Sequence, residues 1–439
     1  MRDSAAAPAV RPLTRQDYRT LALSALGGAL EFYDFVIFVF FVTTLGALFF
    51  PPELPEWMRQ VQVFGVFAAG YLARPLGGIL MAHFGDLVGR KRMFTLSILM
   101  MALSTLGIGL LPTHASIGLA APLLLLLMRI IQGAAIGGEV PGAWVFVAEH
   151  VPARRIGYAT GILTCGLTAG ILIGSLIATA LTTAYTKAEI LDWAWRLPFI
   201  IGGVFGLISV YLRRFLEETP IFKEMEAKKA LAEELPLKTV VRDHRPAVVV
   251  SILLTWMLSA SIVTVILMTP TFLQTLYGFD AKTSLEANSI ATLFLSAGCI
   301  LSGLIIDKVG GGRFFVVGSL VLAATTYLFY TTLHTSPELL FPLYGLTGFV
   351  VGVIGGVPFV MVKAFPPAIR FSGISFSYNV SYAIFGGLTP MFVTLMLQLD
   401  KLAPAHYILA ISVVGFLVGL WLLKAERTPG EKLTTRAAH

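Results

Sequence analysis

The sequence predicts an all-α membrane protein with twelve transmembrane helices in two pseudo-symmetric six-helix halves. Three observations predict it. Of 439 residues 56% are hydrophobic and only 13% charged, with a mean hydropathy of +0.81, whereas a soluble domain carries about 25% charged residues. The apolar residues come in runs of roughly 20, long enough for a helix to cross a hydrocarbon core and unlike the short alternating segments of a barrel. Finally, local sequence recurs between the first and second halves of the chain at nearly one offset.

The apolar runs lie at about 20–50, 61–84, 93–111, 117–148, 156–184, 197–212, 247–274, 289–306, 314–333, 339–363, 371–398 and 405–423. The breaks at 1–19, 85–92, 149–155, 213–246, 307–313, 363–370 and 424–439 hold 25 Lys and Arg. The alternate breaks hold 5, and Arg74 and Arg129 fall inside spans. The positive-inside rule therefore places both termini and the central loop in the cytoplasm. The expected organisation is a tail (1–19), a six-helix half (20–212), a cytoplasmic loop (213–246), a second half (247–423) and a tail (424–439), in the inner membrane of a bacterial cell. The net charge of +7 is then a topology signal with lipid headgroups as partners, not a nucleic-acid footprint. The loop mixes signs at helical spacing and predicts an amphipathic helix along the membrane surface. Cys165 and Cys299 sit inside spans without CxxC spacing, so they read as packing residues; no metal site or cofactor is expected.

The two halves carry matching breaks. "GDLVGRKR" follows the second span, with Asp86, Gly89 and Arg90; "GLIIDKVGGGR" follows the eighth, with Asp307 and Arg313. The aspartates are 221 residues apart, and Pro152 and Pro366, in the breaks after spans four and ten, are 214 apart. Internal repeats of this kind typify secondary transporters that rock one half against the other around a midplane site. An aspartate at a helix end accepts backbone N–H groups and pairs with arginine. Asp86, Gly89, Arg90, Asp307 and Arg313 are therefore candidates for a cytoplasmic gate, against the plainer reading of charged topogenic loops.

Charged residues within the spans need a reason, because a mid-bilayer acid costs roughly 2.5–3.5 kcal/mol on insertion scales. Glu31 and Asp34 in "EFYDF" share one helical face and are candidates, with Glu139, to carry a coupling proton. The competing reading has them neutralised by Arg74 or Arg129. Arg129 lies too deep to snorkel, and its guanidinium suits bidentate capture of a carboxylate. Gln132 and Glu139 continue its face into a polar stripe. Arg74, beside Pro75, divides between pairing with Glu31 or Asp34 and a place in the pathway. Tyr33, Tyr378 and Asn379 complete the substrate-binding candidates, with ordinary interhelical hydrogen bonding as the alternative for the last two. Gly166, Gly170 and Gly174 predict a close helix seam in span five.

"GDLVGRKR", its echo and "RIIQG" (Arg129, Gln132, Gly133) resemble motifs of the major facilitator superfamily. "EFYDF", "LARPLGG" and "RIIQGAAIGGE" resemble the metabolite:proton symporters of that superfamily, and "AIFGGLTP" resembles span eleven of their citrate and related di- and tricarboxylate carriers. Lys363 departs from the pattern, standing where these relatives have a glutamate. The resemblance implies a proton-coupled importer of a small organic anion, in a fold that can work as a monomer, and no enzyme. No GxxxxGK[ST] loop is present for ATP-driven transport. Two other readings stand beside it: a proton symporter of a zwitterionic osmolyte such as betaine or proline, and a transporter-like sensor. The short tail "KAERTPGEKLTTRAAH" lacks the coiled coil of osmosensory relatives, which favours the organic acid.

Overall fold

The computed structural model describes residues 15–88, 90–137, 139–212, 236–366 and 369–427. Twelve helical elements follow the twelve predicted spans, and no strand occurs among the described residues. The first half consists of α1 (Arg15–Phe40, bending into Val42–Phe49), α2 (Glu56–Val88), α3 (Arg90–Leu110), α4 (Ala120–Ile136, resuming at Glu139–His150), α5 (Ile156–Ala184) and α6 (Leu197–Leu212). The second begins with α7, which runs through Arg245–Ser261, a π-helical stretch at Ile262–Met268 and Thr269–Thr275. Then come α8 (Ala281–Val309), α9 (Gly311–Thr332) and α10 (Leu340–Val351, Gly352–Gly356 and Val357–Ala364). The chain ends with α11 (Arg370–Ser381, the π-helical Tyr382–Gly386 and Gly387–Met396) and α12 (Ala403–Arg427).

Nine of these elements are long and apolar enough to cross a membrane among the described residues, and ten if the 62° bend in α1 joins its two parts into one span. The other two predicted spans are α2 and α3. α2 ends and α3 begins within 79–95, whose side chains lie outside the described residues, so that Leu96–Leu110 is the described apolar length of α3. Of the predicted amphipathic helix in the central loop, Pro236–Asp243 is helical; 213–235 lie outside the described residues.

The irregular turns have identifiable causes. Both π-helical stretches precede a proline, Pro270 and Pro390. A proline ring cannot donate to, and collides with, the carbonyl four residues back, so the preceding turn widens. The interruptions of α4 and α10 fall at related sequences, "IGGEVP" (136–141) and "IGGVP" (354–358). Their offset of 218 lies between those of the two loop repeats, so the duplication extends into the helices themselves.

The halves meet along α5 and α8, and where α2 crosses α11. Glycine makes both approaches possible. A Cβ on Gly157 would stand 2.6 Å from the Gly303 carbonyl oxygen, and one on Gly387 would stand 3.0 Å from the Tyr71 Cβ. Side chains stitch the α5–α8 seam: Thr168 and Ser296 share a hydroxyl pair at 2.8 Å, while Ser289 and Asn288 both donate to Ser175 (2.9 and 3.2 Å). Ser175 donates in turn to the Leu285 carbonyl at 3.1 Å. Gly166, Gly170 and Gly174 form a close seam, and its partner is α1: their missing side chains leave room for Ala25, Ala29 and Phe40.

Candidate functional site

The interior of the first half is organised around Arg129, which is fully buried. The glycines of α2 and α4 let these helices touch: a Cβ on Gly133 would overlap the Gly70 carbonyl. Arg129 Nη1 donates to Gln132 Oε1 at 2.8 Å and to the Phe35 carbonyl at 3.3 Å. Gln132 Nε2 donates to Thr105 Oγ1 at 2.6 Å, and Thr105 donates to the Met101 carbonyl at 3.0 Å. A relay of hydrogen bonds thus runs from α4 into α3. The guanidinium carbon stands 4.3, 4.6 and 5.1 Å from the ring centroids of Phe35, Phe38 and Phe67. Nε and Nη2 have no partner. No acid among the described residues pairs with Arg129.

Arg74 repeats this arrangement at the boundary between halves. It is 1% exposed, and its guanidinium carbon stands 5.4 Å from Tyr71, 5.4 Å from Tyr378 and 5.0 Å from Tyr382. Tyr71 belongs to α2, whereas Tyr378 and Tyr382 belong to α11. Again Nε and Nη2 are unpartnered. The two arginines are joined by an aromatic wall. Phe35 and Phe67 contact Tyr71 edge-on at 4.7 and 4.8 Å, Tyr71 meets Tyr382 at 5.4 Å, Tyr382 meets Tyr378 at 4.6 Å, and Tyr378 meets Trp144 at 5.1 Å.

Asp34 is buried at 1% exposure, and neither carboxyl oxygen has a hydrogen-bond partner. It faces α6 and α3: a Cβ on Gly202 would stand 2.5 Å from Asp34 Oδ1 and 2.8 Å from the Thr105 methyl. An isolated buried carboxylate is expensive, by several kcal/mol even after relaxation. The group that fits this pocket is the neutral acid. Arg74 and Arg129 do not pair with it, which removes the competing ion-pair reading for Asp34.

The end of the bundle that carries the basic breaks holds a second contact between halves. Asp307, near the end of α8, accepts the backbone N–H of Gly157 and of Tyr158 at the start of α5, both at 2.8 Å. Two charge-assisted hydrogen bonds at a helix N-terminus are a strong local arrangement. Arg313, its expected neighbour, is exposed and makes no ion pair among the described residues. The backbone amides satisfy Asp307 instead.

The other sequence-derived candidates are placed as follows. Tyr33 is turned away from the aromatic wall. Its hydroxyl donates to the Pro198 carbonyl at 2.7 Å and its ring packs edge-on against Phe205, so it braces α1 to α6. Asn379 Nδ2 donates across the halves to the Gly137 carbonyl and to the Ser375 carbonyl at 3.0 Å, the interhelical bonding that was its alternative reading. Gly89 and the side chains of Glu31, Asp86, Arg90 and Glu139 lie outside the described residues. Lys363 rests on the Phe359 ring at 3.9 Å. Tyr71, Tyr382, Trp144 and Thr105 were not singled out from sequence. The signal for the first two was present: Tyr71 precedes Arg74 by three residues and Tyr382 follows Tyr378 by four, each one helical turn.

The family model described as Major Facilitator Superfamily matches residues 25–390. The chain belongs to the Major Facilitator Superfamily. Solved structures of this superfamily share the fold. A proton:xylose symporter bound to 6-bromo-6-deoxy-D-glucose superposes with a TM-score of 0.74 at 17% identity, covering 93% of this chain and 95% of that one. The partially occluded inward-open xylose transporter from E. coli gives 0.72 at 17% identity, covering 94% and 98%. Among curated superfamily relatives, a putative proline/betaine transporter of Staphylococcus aureus (strain COL) is 32% identical over 91% of this chain and 87% of its own length. The proline/betaine transporter of Salmonella typhimurium is 29% identical over 96% and 86%. A glycine betaine/proline/ectoine/pipecolic acid transporter of Dickeya dadantii is 30% identical over 96% and 86%. The superfamily assignment and the non-enzymatic transporter class agree with the sequence reading. The organic-acid substrate does not follow: these relatives carry names of zwitterionic solutes, and the tail argument against them fails because tail length says nothing about the chemistry of a pocket.

Proposed function

We propose that this chain is a proton-coupled symporter that imports a zwitterionic solute of the proline or betaine kind by alternating access, with both termini in the cytoplasm. The observation that carries the substrate class is the likeness, across at least nine tenths of the chain, to transporters named for proline and betaine. The geometry supports the same reading. Two buried guanidinium groups with unused donors sit along an aromatic wall, an environment that calls for a carboxylate close to an apolar or cationic body. Asp34 supplies the proton site: an acid without a cation is held neutral, and exposure to water at either face of the membrane lets it load and release. Asp307, bound to the start of α5, holds the cytoplasmic ends of the halves together and releases as the carrier turns inward.

The test is uptake by purified protein in liposomes under an imposed inward proton gradient, using proline, betaine, citrate and 2-oxoglutarate. Accumulation of proline or betaine that collapses with the gradient is expected. Accumulation of a di- or tricarboxylate without either zwitterion refutes the substrate reading, and zwitterion uptake indifferent to the gradient refutes proton coupling.

A further inference from the structure

The arginine–tyrosine cluster between the halves carries an inference about how a zwitterion is recognised, which rests on the substrate class proposed above. Three tyrosine rings surround one cationic centre at 5.0–5.4 Å, and all four side chains are at least 98% buried. Rings disposed around a cation in this way make up the aromatic cages that bind quaternary ammonium groups. Here the cation is part of the protein. Arg74 is nonetheless poorly satisfied, since Nε and Nη2 are buried and donate to nothing. A buried guanidinium with two idle donors, held against the rings and hydrogen-bonded to Tyr378 among the described residues, can exchange those contacts for a better one.

We propose that Tyr71, Tyr378 and Tyr382 form the ammonium-binding face of the substrate site, and that Arg74 occupies it as an internal stand-in until a zwitterion arrives. The substrate carboxylate takes the idle Nε and Nη2 donors of Arg74 and draws the guanidinium off the rings. The substrate's own ammonium group then replaces it against the tyrosine faces. Both halves of the exchange are needed. A carboxylate alone removes the cation from the cage without refilling it, and a cation alone must displace Arg74 without offering it a partner. The cluster thereby selects molecules that carry both charges a few bonds apart.

The cage is also divided between the moving parts. Tyr71 and Arg74 belong to α2 in the first half, Tyr378 and Tyr382 to α11 in the second, and the π-helical turn that begins at Tyr382 sets where its ring is presented. A ligand bound there touches both halves at once, so its binding energy can bias their relative position.

Three probes of similar size separate the contributions: betaine, with both charges; 3,3-dimethylbutanoate, its carbon isostere with the carboxylate only; and choline, with the ammonium only. Binding to the purified full chain is read by calorimetry and by the change in tryptophan emission, to which Trp144 contributes through its contact with Tyr378. Betaine is expected to bind at least about tenfold more tightly than either single-charge probe. Tyr382→Leu and Tyr378→Leu should each weaken betaine by about tenfold while leaving 3,3-dimethylbutanoate within about threefold; Tyr382→Phe, which keeps the ring, should stay near the parent value. Melting temperature checks that each variant is folded, and the Phe variant is the control if a Leu variant is not. Tight betaine binding that is unchanged in the Leu variants, or matched by the carbon isostere, overturns the cage but leaves zwitterion transport standing. Failure of the folded parent protein to bind either betaine or proline overturns both.

Discussion

The most informative single substitution is Asp34→Asn, because the structure gives it opposite consequences for stability and for coupling. Asp34 is buried among α1, α3 and α6 with both oxygens unpartnered. If the resting side chain is the neutral acid, asparagine replaces it with a group of nearly the same volume and no new charge. The number of unsatisfied polar groups hardly changes, so stability should shift by no more than about 1 kcal/mol. If it were ionised, the same change would abolish a buried charge and stabilise the protein by several kcal/mol. Under the proposed coupling, with Asp34 as its one proton site, one proton accompanies each solute. A proton gradient of one pH unit is worth about 1.36 kcal/mol, which accumulates a neutral zwitterion about tenfold at zero membrane potential. Asp34→Asn should reduce that ratio to about one while leaving exchange of internal for external solute in place. The assay pairs liposome accumulation and counterflow with a thermal melt at neutral pH. Retention of tenfold accumulation per pH unit, or stabilisation by several kcal/mol, would refute the reasoning.

Other consequences can be checked in parallel. Gln132→Leu cuts the relay between Arg129 and Thr105 and should destabilise the protein by about 1–3 kcal/mol, because it leaves a buried Arg129 donor without its Gln132 acceptor; detergent melts of the single variant and of Gln132→Glu would show it. Asp307→Asn keeps one acceptor oxygen but loses the charge, so hydrogen exchange at Gly157 and Tyr158 should rise about tenfold, and unchanged exchange would remove the latch. Gly133→Ala places a methyl group on the Gly70 carbonyl and should cost about 3 kcal/mol or more, seen as loss of monodisperse protein. On the α5–α6 connection, hydrogen bonds from the Thr186 backbone and side chain hold Glu189 below the ordinary carboxylate range. Its lowered pKa means that the capping box of Lys187–Asp192 is intact at neutral pH and is lost as the pH falls through that lowered value; amide exchange in this helix should accelerate only in acid, and acceleration near neutrality would contradict the assignment.

The sequence by itself determined the solvent, the helices and the duplication. Apolar runs of the right length and a one-sided distribution of Lys and Arg leave a polytopic helical protein as the consistent answer, since unpaired backbone is excluded from lipid. It also marked the residues that need explanation: Asp34, Arg74, Arg129 and Gln132 stand out because charge and amide groups are costly inside a bilayer. What it could not supply was their partners. Tyrosine and phenylalanine are ordinary span residues, so nothing in composition separates Tyr71 and Tyr382, which surround a cation, from Tyr33, which braces α6. Electrostatics likewise left open a pairing of Asp34 with an arginine, and only the packing shows the acid turned toward Gly202 and both arginines turned toward rings. Helical period fixes which residues share a face; which faces meet is decided by the small residues that let α2 reach α4 and α11. The cluster between the halves therefore exists only in the tertiary structure, because its rings come from elements some 300 residues apart.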